Sequence, residues 1–291
     1  MRIERLPGKI IPNFSPSGRS LIQCKNWPDH KQRIVKACLS RPFLLRIGRL
    51  RSGFLKTDEP PLPWLQTMKL LAIDTSGDAC SAALLMDGAI DQLFEIAPRR
   101  HGERILPMMQ TLLDRAGLRL TDLDALAFGR GPGSFTGVRI AVSVIQGAAF
   151  GAHLPVVPIS TLGALAQGQF RRGGQRRLLA ALDARMDEVY WGCFEVCDDG
   201  LAAPLCEERV YSPDRVEFPA EIDWYGVGSG WAAYAARLRT RVGDALFDAN
   251  PDIFCEARDI AVMAAAKMLM GRQMPPELAA PVYLRDQVTR T

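Results

Sequence analysis

The stretch that most narrows the folds open to this chain lies between Leu123 and Phe150. An apolar strand, Leu123–Phe128, runs into Gly129-Arg-Gly-Pro-Gly133-Ser134-Phe-Thr-Gly137, and a helix from Phe135 to about Phe150 follows at once. A strand that turns into a helix over so many glycines belongs to an α/β sheet. Backbone N–H groups at such a turn can cradle an anion, with Ser134 as the N-cap. The spacing is nevertheless neither a dinucleotide GxGxxG nor a P-loop, and it is not the GxSxG of a nucleophile elbow. The plainer alternative is a tight turn that needs small residues in order to pack.

The flanking pattern predicts the rest of an α/β body. Met68–Asp74, Ala79–Asp87 and Ala89–Ile96 read as a meander whose opening strand ends in Asp74-Thr75-Ser76-Gly77. A helix from about Arg104 to Ala116 is closed by Gly117, with Ile105, Met109, Leu112 and Ala116 as one stripe. Pro107 is expected in its first turn, where the missing N–H costs little. Pro155–Ile159 reads as a strand and Thr161–Gln169 as a helix. The order βββαβαβα is that of a ribonuclease-H-like lobe. After a basic linker, Arg171–Arg177, a second lobe opens with the strand Arg177–Asp183, a turn at Ala184–Asp187 and Glu188–Val196. It continues irregularly to a helix, Asp259–Met270, and a tail, Pro281–Arg285, expected to dock on the body. The charges of Asp183–Tyr190 read as a solvated hairpin turn.

Composition separates the ends of the chain. Residues 1–67 hold 13 of the 36 Lys/Arg, 4 of the 32 Asp/Glu and 8 of the 20 prolines, whereas residues 68–291 carry a net charge of −5. A nucleic-acid binder usually shows its basic surplus on the folded domain, so phosphate contacts are expected to come mostly from elsewhere. Residues 1–67 can be read as a targeting peptide, a basic arm for RNA, or a dispensable leader. Met68, the first methionine after Met1 and directly before the first strand, favours a leader or an over-extended start. The seven cysteines form no CxxC pair, which suits reduced thiols in a cytoplasmic protein. The most apolar stretch, Ile140–Ile159, is broken by Ser143, Gln146, His153 and two prolines, so no membrane span is expected. The histidines His30, His101 and His153 lack any HExxH context, which argues against a metal site.

The helix from Phe135 is apolar on nearly every side, with Arg139 as its only charge. Such a helix must be covered on its outer face as well as on the sheet. The cover can be the neighbouring helix or a partner subunit, and Met108 and Met109 suit an adaptable packing surface.

The strings MKLLAIDTS (68–76), ERILPMM (103–109), ALAFGRGPGSFTGVRI (125–140), PISTL (158–162), LDARMDEVYW (182–191) and PVYLR (281–285) together resemble the bacterial TsaB (YeaZ) family. The resemblance covers essentially all of 68–291 in order and leaves 1–67 without a counterpart. It implies an actin-like two-lobe fold, with lobes at 68–172 and 173–291. It further implies a non-catalytic subunit in forming N6-threonylcarbamoyladenosine at position 37 of tRNAs that read codons beginning with A. In that family the related TsaD transfers the threonylcarbamoyl group with a metal held by a His-rich motif. The ATPase TsaE joins the pair, TsaC supplies threonylcarbamoyl-adenylate, and TsaB binds TsaD through its first-lobe helices. ATP and metal are thus expected on partners and no cofactor on this chain, with tRNA met indirectly.

By position the partner surface falls on Ile105, Met108, Met109, Leu112, Arg139, Ile140, Ser143 and Gly147, and the apolar outer helices leave both a monomer and a homodimer open when the partner is absent. The rival is an actin-like ATPase or kinase that holds Mg-nucleotide or another anion with Asp74, Ser76, Gly131, Gly133 and Ser134. Against it stand the lack of an obvious second carboxylate for the metal and of a lysine aimed at phosphate.

Overall fold

The computed structural model describes residues 68–285. The expectation for residues 1–67 concerns residues outside these. The fold grows outward from β1 (Leu70–Asp74), which is buried throughout. A strand apolar on both faces can only lie mid-sheet with both sides covered. It is followed by β2 (Ala79–Met86), β3 (Ala89–Ile96), α1 (His101–Ala116), β4 (Ala125–Gly129), α2 (Phe135–Ala152), β5 (Val156–Ile159) and α3 (Thr161–Gly173), the expected βββαβαβα. The sheet order is β3-β2-β1-β4-β5, with β2 antiparallel and β4 parallel to β1.

The second lobe comprises β6 (Arg177–Asp183), β7 (Val189–Val196), β8 (Ala202–Pro204), β9 (Arg209–Tyr211), β10 (Trp224–Val227), α4 (Gly230–Ala233), α5 (Ala235–Val242), β11 (Leu246–Asn250) and α6 (Ala257–Leu269). Its order, β11-β10-β6-β7-β8 with β9 also on β7, repeats the first sheet. In each, the opening strand is central, with an antiparallel neighbour on one side and parallel strands on the other. This is the expected actin-like pair of ribonuclease-H-like lobes.

The helices do not respect the expected division at 172/173. Although α3 follows the first sheet in sequence, it packs on β6, β7 and β8, while α6 packs across β1, β2, β4 and β5. The two helices meet between the sheets, where Leu162 and Leu165 of α3 share one core with Ile260 and Ala264 of α6, Leu70 of β1 and Leu178 of β6. Arg171 and Arg172 are therefore no linker. They lie in the last turn of α3, and Arg171 pairs with Asp259 at 2.9 Å and Glu256 at 3.0 Å, while Arg172 also reaches Glu256.

On the outer face of the first sheet, α1 and α2 pack side by side. Helix α1 begins three residues earlier than expected, because the Arg100 carbonyl accepts from the N–H groups of Glu103 and Arg104. Pro107 consequently sits in the second turn rather than the first, on the exposed side. Ser134 caps α2 as expected, accepting from Gly137 N–H at 3.4 Å. By length and composition α2 is apolar enough to cross a membrane, and here one of its faces lies on the sheet.

The tail straps both lobes. Val282 N–H donates to the Arg130 carbonyl at 2.8 Å, Tyr283 packs 5.8 Å from the Phe135 ring, and Arg285 pairs with Glu188.

Asp259, whose side chain is 2% exposed, has its charge met by Arg171. Arg171→Met leaves a buried carboxylate unpaired, and urea denaturation is expected to show a loss of about 3 kcal/mol.

Candidate functional site

Two regions drew attention in the sequence, and the structure treats them differently. The first is the meeting of the Asp74–Ser76 turn with the glycine turn after β4. β1 and β4 are parallel neighbours, so their C-terminal ends lie side by side. Ser134 N–H donates to the Ser76 carbonyl at 2.7 Å, and Thr75 Oγ1 donates to the Gly137 carbonyl at 2.7 Å. A Cβ at Gly133 would collide with the Ser76 carbonyl and one at Gly137 with the Thr75 carbonyl. These glycines are small because another stretch of backbone presses on them. Gly131, at φ +95°, lies beneath the Val282 carbonyl. The turn packs as the plainer alternative requires, with Gly133 half-buried and Ser134 exposed.

Asp74 and Ser76 are 1% and 2% exposed, so neither faces solvent as the nucleotide-binding alternative requires. Asp74 Oδ2 accepts from Ser76 N–H at 3.1 Å and Ser76 Oγ at 2.9 Å, while Oδ1 is buried without a partner. Burial pushes the Asp74 carboxyl up from its ordinary 3.8 to about 6, against the hydrogen bonds from Ser76. Between those two values the folded chain holds a proton that the unfolded chain has lost, so Asp74 lowers stability progressively as pH rises through that window. Asp74→Asn removes this dependence. Its gain over the parent is expected to be about 2.4 kcal/mol larger at pH 7.5 than at pH 4, read from urea midpoints.

The second region is the outer surface of α1 and α2. Here four expected partner residues are corrected. Ile105, Met108, Met109 and Leu112 are the inward stripe of α1, from 0% to 7% exposed, packed with Leu71, Ile73 and Leu84 of the sheet. The strongest apolar stripe of a sheet-covering helix is the one the sheet takes. On α2, Arg139 is exposed, but its guanidinium lies 3.6 Å over the Phe135 ring and its Nε donates to Tyr283 OH at 2.7 Å. Ile140 is half-buried, and Ser143 and Gly147 are open. A Cβ at Gly147 or Gly151 would meet nothing within 4 Å.

The outward stripe therefore runs Thr136, Arg139, Ile140, Ser143, Gly147, Phe150 and Gly151, with the last two missed from sequence. Phe150 is 72% exposed, and Leu106 on α1 is 55% exposed. The i, i+3, i+4 spacing of Ile140, Ser143 and Gly147 continues to Phe150 and Gly151, so periodicity could have added them to the surface. Beyond Phe150 the surface dips into a groove of about 460 Å³ between His153–Pro155 and Gln273–Glu277. Among the described residues, no three His, Cys, Asp or Glu side chains come together as a metal site would require.

Comparison with known proteins settles the family. The chain is 43% identical over 229 residues to the tRNA threonylcarbamoyladenosine biosynthesis protein TsaB of Escherichia coli K12, which covers 76% of this chain and 96% of that protein. It belongs to the TsaB (YeaZ) family. The TsaB protein of Haemophilus influenzae is 40% identical over 236 residues, covering 77% of this chain and 97% of that one. The solved structure of YeaZ from Pseudomonas aeruginosa matches with a TM-score of 0.71 at 44% identity, over 75% of this chain and all of that one. A family model described as TsaD, tRNA N6-adenosine threonylcarbamoyltransferase, matches residues 94–291. A second Pseudomonas aeruginosa structure, with the same TM-score, identity and coverage, is described as similar to peptidase YeaZ. His101 is buried with its Nε2 unpaired, and His153 is the exposed C-cap of α2.

A mid-helix glycine costs about 1 kcal/mol relative to alanine. Because nothing among the described residues fills the space at Gly147, Gly147→Ala is expected to raise the stability of the isolated protein by up to about 1 kcal/mol in urea denaturation. Gly137→Ala is expected to lower it by several kcal/mol through the clash with Thr75.

Proposed function

We propose that this chain is a non-catalytic, activating subunit of the assembly that forms N6-threonylcarbamoyladenosine at position 37 of tRNAs reading codons that begin with A. It binds the catalytic TsaD subunit and holds it in its active form, with the ATPase TsaE joining them. The observation that carries this reading is the outward face of α2. Gly147 and Gly151 give up helix propensity for no contact among the described residues, Ser143 is exposed between them and Arg139, and Ile140 and Phe150 leave apolar surface beside them. A small-residue stripe lets an opposing helix approach closely, so the loss within the chain is recovered in a complex.

The names of the relatives support the pathway, and the match to a TsaD family model supports pairing between chains of one fold. The burial of Asp74 and Ser76 favours a role without nucleotide chemistry of its own. The −5 charge of residues 68–291 suits a subunit that leaves tRNA to its partners. The same face accounts for a homodimer when the partner is absent.

Gly147→Trp places a large side chain in open space, so the isolated variant is expected to fold. It should lose co-elution with TsaD, and tRNA nucleosides from a reconstituted system should lose the modification by mass spectrometry. Co-elution that survives Gly147→Trp overturns the surface. Modification that proceeds unchanged without this chain overturns the role.

A further inference from the structure

On one face of the second sheet two thiols stand together. Cys193 lies on β7 opposite Leu205, whose N–H donates to the Cys193 carbonyl at 2.8 Å. The ladder stops there, and the Cys193 N–H donates instead to Sγ of Cys206 at 3.3 Å. The Cys206 sulfur is thus held against the backbone of Cys193 itself. Cys193 is fully buried among Trp191, Val216 and Trp231, whereas Cys206 is half-buried at the margin of that core. A shielded thiol on β7 beside a reachable one in the β8–β9 connection is the arrangement of a resolving thiol behind a nucleophilic one.

We infer that Cys206 and Cys193 form a hydroperoxide-reactive thiol pair, with Cys206 attacking and Cys193 resolving. The Cys206 thiolate attacks one peroxide oxygen. The O–O bond breaks, an S–O bond forms, and the departing oxygen takes a proton to leave as water or an alcohol. The Cys193 sulfur then attacks the Cys206 sulfenic acid. The S–O bond breaks with loss of water, and the S–S bond forms. Two thiols have lost two electrons and two protons, and the peroxide has gained them.

Hydrogen bonding from Cys193 favours the thiolate at Cys206 and draws that thiol down, while burial and the carboxylates of Glu208 and Glu217 oppose it. The neighbouring Cys206 sulfur and burial push Cys193 up, so it stays a thiol until the sulfenic acid forms. The Cys193 thiol donates its proton to the Glu217 carbonyl at 3.4 Å, a bond it gives up on oxidation. Two residues past Cys206, Glu208 accepts from Ser160 Oγ and lies 3.6 Å from Arg130. The disulfide would thus tie β7 to a segment that bridges the two lobes.

The test treats the full chain with hydrogen peroxide at neutral pH, blocks residual thiols and maps cysteines by mass spectrometry. Trypsin leaves Cys193, Cys197 and Cys206 on one peptide, Met186–Arg209, so cleavage at Glu195 and Asp198 is needed to separate them. A Cys193–Cys206 bond that dithiothreitol reverses is expected, and iodoacetamide should label reduced Cys206 at least about fivefold faster than Cys80. In Cys193→Ser, dimedone should trap Cys206 as the sulfenic acid. In case that variant does not fold, Cys206→Ser, changed at the half-buried site, should leave Cys193 unoxidised. A bond to Cys197 instead, oxidation that begins at Cys193 in Cys206→Ser, or a Cys206 no more reactive than Cys80 overturns the pair.

Discussion

The contact on which the rest of the molecule depends is backbone against backbone. The turn Asp74–Ser76 rests on the glycines that follow β4, fastened by Thr75 to Gly137 and by Ser134 to Ser76. Open α/β sheets commonly take ligands in the crevice beyond the carboxyl ends of neighbouring strands where the strand order reverses. β1 and β4 form such a point, and here the protein's own backbone fills it. The same contact sets the first turn of α2 and so the direction in which its outer stripe looks. What closes the crevice also aims the helix.

Helix α2 serves two solvents. Val138, Ala141, Val142, Ile145 and Ala149 face the sheet and are buried, and they anchor the helix. The opposite side has few charges and several small residues, and its single arginine is already held between Phe135 and Tyr283 of the tail. An ordinary surface helix would carry lysines and glutamates there. The tail thus does more than end the chain. It rests on the glycine turn, stacks on α2 and reaches Glu188 in the other lobe.

Most of the secondary structure was legible because its signals are local. Apolar runs, Gly117 and Ser134 as caps, and the Gly-rich turn mark their elements without help from the rest of the chain. The errors came where a distant partner decided the outcome. Ile105, Met108, Met109 and Leu112 were read as a partner surface, since periodicity finds an apolar stripe but does not say what covers it. The glycines allowed a cradle or a packed turn, and only the position of Thr75 and Ser76 across the strands distinguishes them. Arg171 and Arg172 resembled a linker because their carboxylates lie more than 80 residues further on. The topological repeat of the two lobes left no trace in residue identity that periodicity could detect.

The exchange of α3 and α6 has a consequence for how such a chain is made. The inner face of the first sheet is not covered until residues 257–269 have been synthesised, although its last strand ends at Ile159. The first half leaves the ribosome with the apolar inner face of a five-stranded sheet bare, and it needs either the second half or a chaperone to shield it. Co-translational folding lobe by lobe is therefore closed to this architecture, and its cooperativity is written into the order of its helices.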